Sequence, residues 1–266
     1  AEAAGTTLDA GTRADALLDG GRSAIAEGRT EVALRLLETA RATGALGAQD
    51  AIVATIGLGE VHLALGDVAR GSALLEGAWD EARAIDAWDL AAEVALAFSR
   101  IGLLPTPDSG AARADQAEVA FARLSEADPL RRGLLATYLY NILAFVDEPR
   151  AASYLDEAVR MAERDPALAP YVDVCVLRRD VETGREPTVA VHTAAALARR
   201  DRRTNPLAAA MAEVLGAAAA VAARRYPGPR RSLPQSLQRS ERSLCLAYSA
   251  GGVGGIAGLS VAGKRP

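Results

Sequence analysis

Apolar residues recurring at spacings of three and four, broken at short intervals by Gly, Pro or Asp, constrain this chain more than any other feature. Val32, Leu36 and Leu37 with Ala33 and Ala40 form one apolar helix face, as do Leu134, Leu135, Tyr138, Leu139 and Ile142. No stretch alternates apolar and polar residues for long, so no strands are expected. The pattern predicts helices over 13–27, 30–43, 48–65, 68–85, 87–101, 112–127, 130–146, 150–164, 168–183, 187–200 and 206–224. Most turns between them are two to five residues, which makes neighbours antiparallel hairpins. The exception is Leu103–Gly110, where Pro105 and Pro107 stop helix propagation. It is expected to be an ordered loop within the array and not a domain boundary.

Composition agrees. Half of the 266 residues are apolar, chiefly Ala, Leu and Val, with few aromatics. That is enough for a buried core, in one large domain or two small ones. Ala and Leu are strong helix formers, and small side chains let helices approach closely. Lys264 is the only lysine, which we read as the codon bias of a GC-rich genome.

The hairpins repeat. Leu17, Gly20, Gly21, Ala24, Gly28, Ala33, Leu37 and Ala40 fall at the spacings of the tetratricopeptide pattern. Leu58, Gly59, His62, Gly66, Gly71, Leu75 and Ala78 repeat it 38 residues further on. A weaker third copy is Leu135, Tyr138, Leu139, Ile142, Ala151, Leu155 and Ala158. Such a hairpin cannot bury its apolar face alone and stacks on a neighbour. The expected fold is therefore all-α, a tetratricopeptide-like α-solenoid of antiparallel helix hairpins over residues 1–225.

Residues 226–266 differ in character. They are rich in Gly, Ser and Arg, carry a net +5, and follow a body of net −9. An acidic body argues against direct nucleic-acid binding. The uncharged run Leu244–Gly263 has the length of a membrane span, but six of its residues are Gly. Its drive to insert is weak, so a disordered tail, or one read from a shifted frame, is expected and no membrane contact. Ala1 in place of Met points to a processed chain or a piece of a longer one, and no signal peptide is visible. Cys175 and Cys245 make neither a disulfide framework nor a metal site, which fits a reducing, cytoplasmic setting.

Little in the chain carries chemistry. Gly258 to Arg265 nearly spells the phosphate-binding loop GxxxxGK[ST], but Arg265 stands where the metal-holding hydroxyl belongs and no helix follows. We read it as a chance match. His62 is expected to be a packed core histidine, and His192 has no metal-spaced partner. Cys175 is expected to be a buried small hydrophobe. Asp80–Glu81 and Asp156–Glu157 are expected on solvated faces, and the basic run Arg199–Arg203 complements a helix C-terminus. Trp79 and Trp88 flank a turn, either as packing between hairpins or as an anchor for a partner. No catalytic, cofactor or metal residues are assigned. If the first helix of each hairpin lines the groove, the partner-contacting residues are His62, Tyr138 and Tyr140, with Trp79 and Trp88 as the aromatic anchors.

The run Ala91–Pro105, the hairpins Gly28–Ala40 and Gly66–Ala78, the segment Asp128–Thr137 and the helix Tyr154–Ala162 occur in an order that resembles a known arrangement. It is similar to the helical-repeat region of large ATP-binding regulators of the LuxR type and of actinobacterial regulators with a bacterial transcriptional activator domain. The resemblance covers about residues 10–225. In that family a P-loop ATPase precedes the array and a helix-turn-helix often follows it; neither is present in this chain. The resemblance implies a non-catalytic regulatory and interaction segment of a signal-responsive, ATP-dependent transcriptional regulator. ATP would bind a module absent here. The partner would be that ATPase module, a protein or peptide, or a small inducer. A stand-alone adaptor with a peptide in its concave groove is the alternative, and an enzyme on an α-solenoid a distant third.

Overall fold

A computed structural model describes residues 9–100, 107–144, 147–184 and 187–225. Among them the chain is all helix: α1 (Ala10–Ala26), α2 (Thr30–Ala42), α3 (Ala48–Ala64), α4 (Val68–Ala84), α5 (Trp88–Arg100), α6 (Pro107–Arg123), α7 (Pro129–Leu143), α8 (Glu148–Arg164), a short 3₁₀ turn Pro166–Leu168, α9 (Ala169–Glu182), α10 (Pro187–Asp201) and α11 (Pro206–Arg225). They form two compact units, α1–α5 and α6–α11.

Short polar side chains start many of these helices. Asp9, Asp67, Asp128, Asp147 and Asn205 each accept a hydrogen bond from a backbone N–H three residues on, at 2.9–3.3 Å. Each satisfies a donor that the first helical turn leaves open. Three helix ends share one geometry. Gly28 and Gly66 have positive φ, and the next residue's N–H reaches back to Ala24 O and His62 O at 2.8 and 2.9 Å. This is the Schellman closure, for which glycine suits the left-handed residue. At the end of α4 the same role falls to Asp86, with φ of 55°, and Ala87 N–H bonds Ala82 O at 2.9 Å.

In the first unit each helix packs on the next, and α3 also touches both α1 and α5. Glycines set the crossings. A Cβ on Gly21 would lie 2.6 Å from Leu37, and one on Gly59 would lie 2.7 Å from Leu75, the same pair 38 residues on. Gly71 in turn faces Leu63 and the Gly59 carbonyl. Position 59 meets 75 while 63 meets 71, so α3 and α4 run antiparallel. Leu18, Ala33, Leu37, Ala54 and Leu58 form the core here. In the second unit the helices again pack in chain order, with further contacts of α7 on α9 and of α9 on α11. Leu168 and Met161 close one core between α7 and α8, and Leu177, Leu197 and Leu215 another among α9, α10 and α11.

Two readings of the sequence change. Pro107 does not end a helix but heads α6, so 107–111 is helical. Proline is well tolerated there because the first-turn N–H groups have no partner in any case. Glu157 is not on a solvated face. Asp156 is exposed, but Glu157 is buried and pairs with Arg132 at 2.6 Å and with Arg160. The Leu103–Pro105 part of the proline-containing loop and the tail 226–266 lie outside the described residues.

Candidate functional site

The residues singled out from the sequence are mostly inside. His62 is buried near the end of α3, its Nδ1 3.5 Å from the Asp67 carboxylate that caps α4. Trp79 is only 4% exposed on α4, whereas Trp88, at the head of α5, is half-buried. Tyr138 and Tyr140 are both buried on α7. Burial pushes the Tyr138 phenol up to about 12, partly countered by Arg113 of α6. Asp80 and Glu81 are exposed, and Cys175 is buried.

Of these, Tyr140 stands in a polar cluster where α7 and α9 pack. Arg178 of α9 is the centre. Its Nε donates to Glu182 Oε1 at 2.8 Å and its Nη1 to Asn141 Oδ1 at 2.7 Å. Its guanidinium carbon lies 5.7 Å from the centre of the Tyr140 ring, within cation–π range. Asn141 donates to the Thr137 carbonyl at 2.9 Å and to the Cys175 sulfur at 3.6 Å. The side chains of Arg178 and Glu182 are each 14% exposed. Burial holds the Tyr140 phenol protonated well above its usual range; Glu182 adds to this and Arg178 opposes it. Burial likewise raises the Cys175 thiol to about 11, against the pull of Arg178 and Asn141.

These shifts decide what the cluster can do. A thiol and a phenol protonated at neutral pH are poor nucleophiles and poor bases. What remains is a guanidinium fixed in plane by a carboxylate and an amide, beside an aromatic ring. This arrangement ties α9 to α7. The sequence held two signals for it that were not used: Arg178 and Glu182 are four apart on one helix, and Asn141 lies inside one.

The basic run at the end of α10 joins helices. Arg200 bonds Asp173 of α9 at 2.6 Å and its buried neighbour Asp201 at 2.7 Å, and Arg202 bonds Glu213 of α11 at 2.7 Å. Among the described residues no group of three or more acidic, His or Cys side chains is placed to hold a metal ion, and no helix is long and apolar enough to cross a membrane. The near-match to a phosphate loop, Gly258–Arg265, and Cys245 lie outside the described residues. No family model, no curated protein and no solved structure matches the chain.

Proposed function

We propose that this chain is the tetratricopeptide-like regulatory and interaction segment of an ATP-dependent transcriptional regulator of the LuxR type. The observation that carries the repeat reading is the recurrence of one hairpin design. Gly21 on Leu37 and Gly59 on Leu75 repeat at 38 residues, with the same Schellman closure at Gly28 and Gly66. In each unit the first helices of successive hairpins also touch, α1 with α3 and α3 with α5, and α7 with α9 and α9 with α11. That layering is how stacked hairpins bury a continuous core.

The segment acts by contact and not by catalysis. In the second unit Arg178 of α9 lies beside the buried Tyr140 ring of α7. The partly exposed line of Arg178 and Glu182 on α9 is assigned to the partner: the ATPase module of the parent chain or a protein or peptide. Occupation of that line biases a two-state equilibrium of the parent.

Reading the genomic DNA on both sides of the coding segment tests this. The proposal expects an in-frame GxxxxGK[ST] module upstream or a helix-turn-helix downstream. A start codon directly before Ala1 together with a genuine stop after Pro266 sinks it and leaves the stand-alone adaptor. In the parent protein, Arg178→Ala should change basal ATP turnover while helix content by circular dichroism stays the same. Unaltered turnover would remove this surface from the mechanism.

A further inference from the structure

Helix α6 is attached differently from its neighbours. From residue 112 onward it buries only Ala114, Ala117 and Ala120, with Leu124 just past its end and a half-buried Phe121. Three alanines remove little apolar surface from water, whereas α8 buries Leu155 and Met161 besides two alanines. In place of apolar bulk, α6 has a polar clasp. Glu118 accepts hydrogen bonds from Arg150 and, at 2.9 Å, from the Tyr154 hydroxyl, both on α8. The Phe121 ring meets Tyr154 edge-on at 5.2 Å between centroids. Arg132 of α7 lies over the same Phe121 ring, 4.1 Å from its centre. The same guanidinium donates to the carbonyls of Phe121 and Leu124 at 3.2 and 3.1 Å, at the end of α6. Glu157 of α8 holds Arg132 in place at 2.6 Å.

We propose that α6 is a detachable strap, held on α7 and α8 by this clasp, that opens as a unit while the rest of its half of the chain stays folded. Directional polar ties are lost together once geometry fails, while a small apolar face gives little resistance to separation. Undocking returns Glu118 and Arg150 to water, where both are well solvated. It uncovers the aromatic edge of Tyr154 and the α7 surface beneath the alanines. The inference stands without the regulatory reading above.

Hydrogen exchange by mass spectrometry on the full chain tests it. In the wild type, peptides from 107–124 should exchange at least tenfold faster than those from 129–164. Glu118→Gln should accelerate exchange of α6 by about three- to tenfold, since a charge-assisted bond to a partly exposed group is weakened and not erased. Tyr154→Phe should act in the same direction with no charge changed. Peptides from 187–225 should be unaffected by either. Equal exchange of α6, α7 and α8 in the wild type would overturn the proposal. So would a response of 187–225 as large as that of α6, or no response of α6 to either substitution.

Discussion

Single side chains decide much here, and glycine shows it best. Gly71 and Gly77 lie on the same helix, α4. A Cβ on Gly71 would meet Leu63 Cγ at 2.5 Å and the Gly59 carbonyl oxygen at 2.9 Å, while one on Gly77 would meet nothing within 4 Å. Both substitutions to Ala gain helix propensity, worth about 1 kcal/mol. At Gly77 that gain should remain, and the urea midpoint should rise. At Gly71 backbone must move, and we expect a net loss of about 1–2 kcal/mol from overpacking. Cys175 gives a second residue-scale prediction. With its thiol raised to about 11 by burial, native protein carrying Cys245→Ser should resist a thiol reagent at pH 8 and react fully once unfolded. Fast labelling of the folded protein would contradict the buried position.

At the scale of helices, the clasp at α6 and α7 makes a sharper forecast. Arg132→Gln removes one partner of a largely buried pair and leaves Glu157 with Arg160 alone, besides removing a donor from the Phe121 and Leu124 carbonyls. The cost should be about 3 kcal/mol in urea unfolding. Replacing both partners, Arg132→Met with Glu157→Leu, should cost less than the single change, because no charge is then stranded. The helices themselves were readable from sequence because the signals are local. Gly28, Gly66, Asp67, Asp128 and Asp147 mark ends within two residues of those expected, while α1 starts at Ala10, three before its expected start. Pro107 misled because a proline that breaks a helix and one that begins it look alike in sequence. Glu157 was not readable at all: its partner Arg132 is 25 residues away, and only the pairing of α7 with α8 joins them. The polar cluster between α7 and α9 was only partly legible. Tyr140 could be named from its position in the hairpin, but Arg178 and Asn141 gain meaning only when α9 is laid beside α7.

For the whole molecule, alkaline conditions are the informative ones. Burial first of all raises Cys175 from 9.0 to about 11, and Tyr138 and Tyr154 from 10.0 to about 12. A group whose folded value lies above its unfolded one binds more protons when folded, so stability falls as pH rises between the two. The loss should begin near pH 9 and continue to about 12, and Tyr138→Phe should flatten it in unfolding free energy followed against pH. The shared Schellman closure has a further consequence, for how such a chain can change in length. The left-handed residue fixes the path of the turn, so the helix beyond it starts in a set orientation. One residue inserted within a helix rotates everything after it by about 100° and turns the apolar stripe away from its neighbour. Insertions should survive only in near-whole turns, about seven residues at a time, or outside the helices altogether, and length variation in chains built this way is therefore stepped rather than continuous.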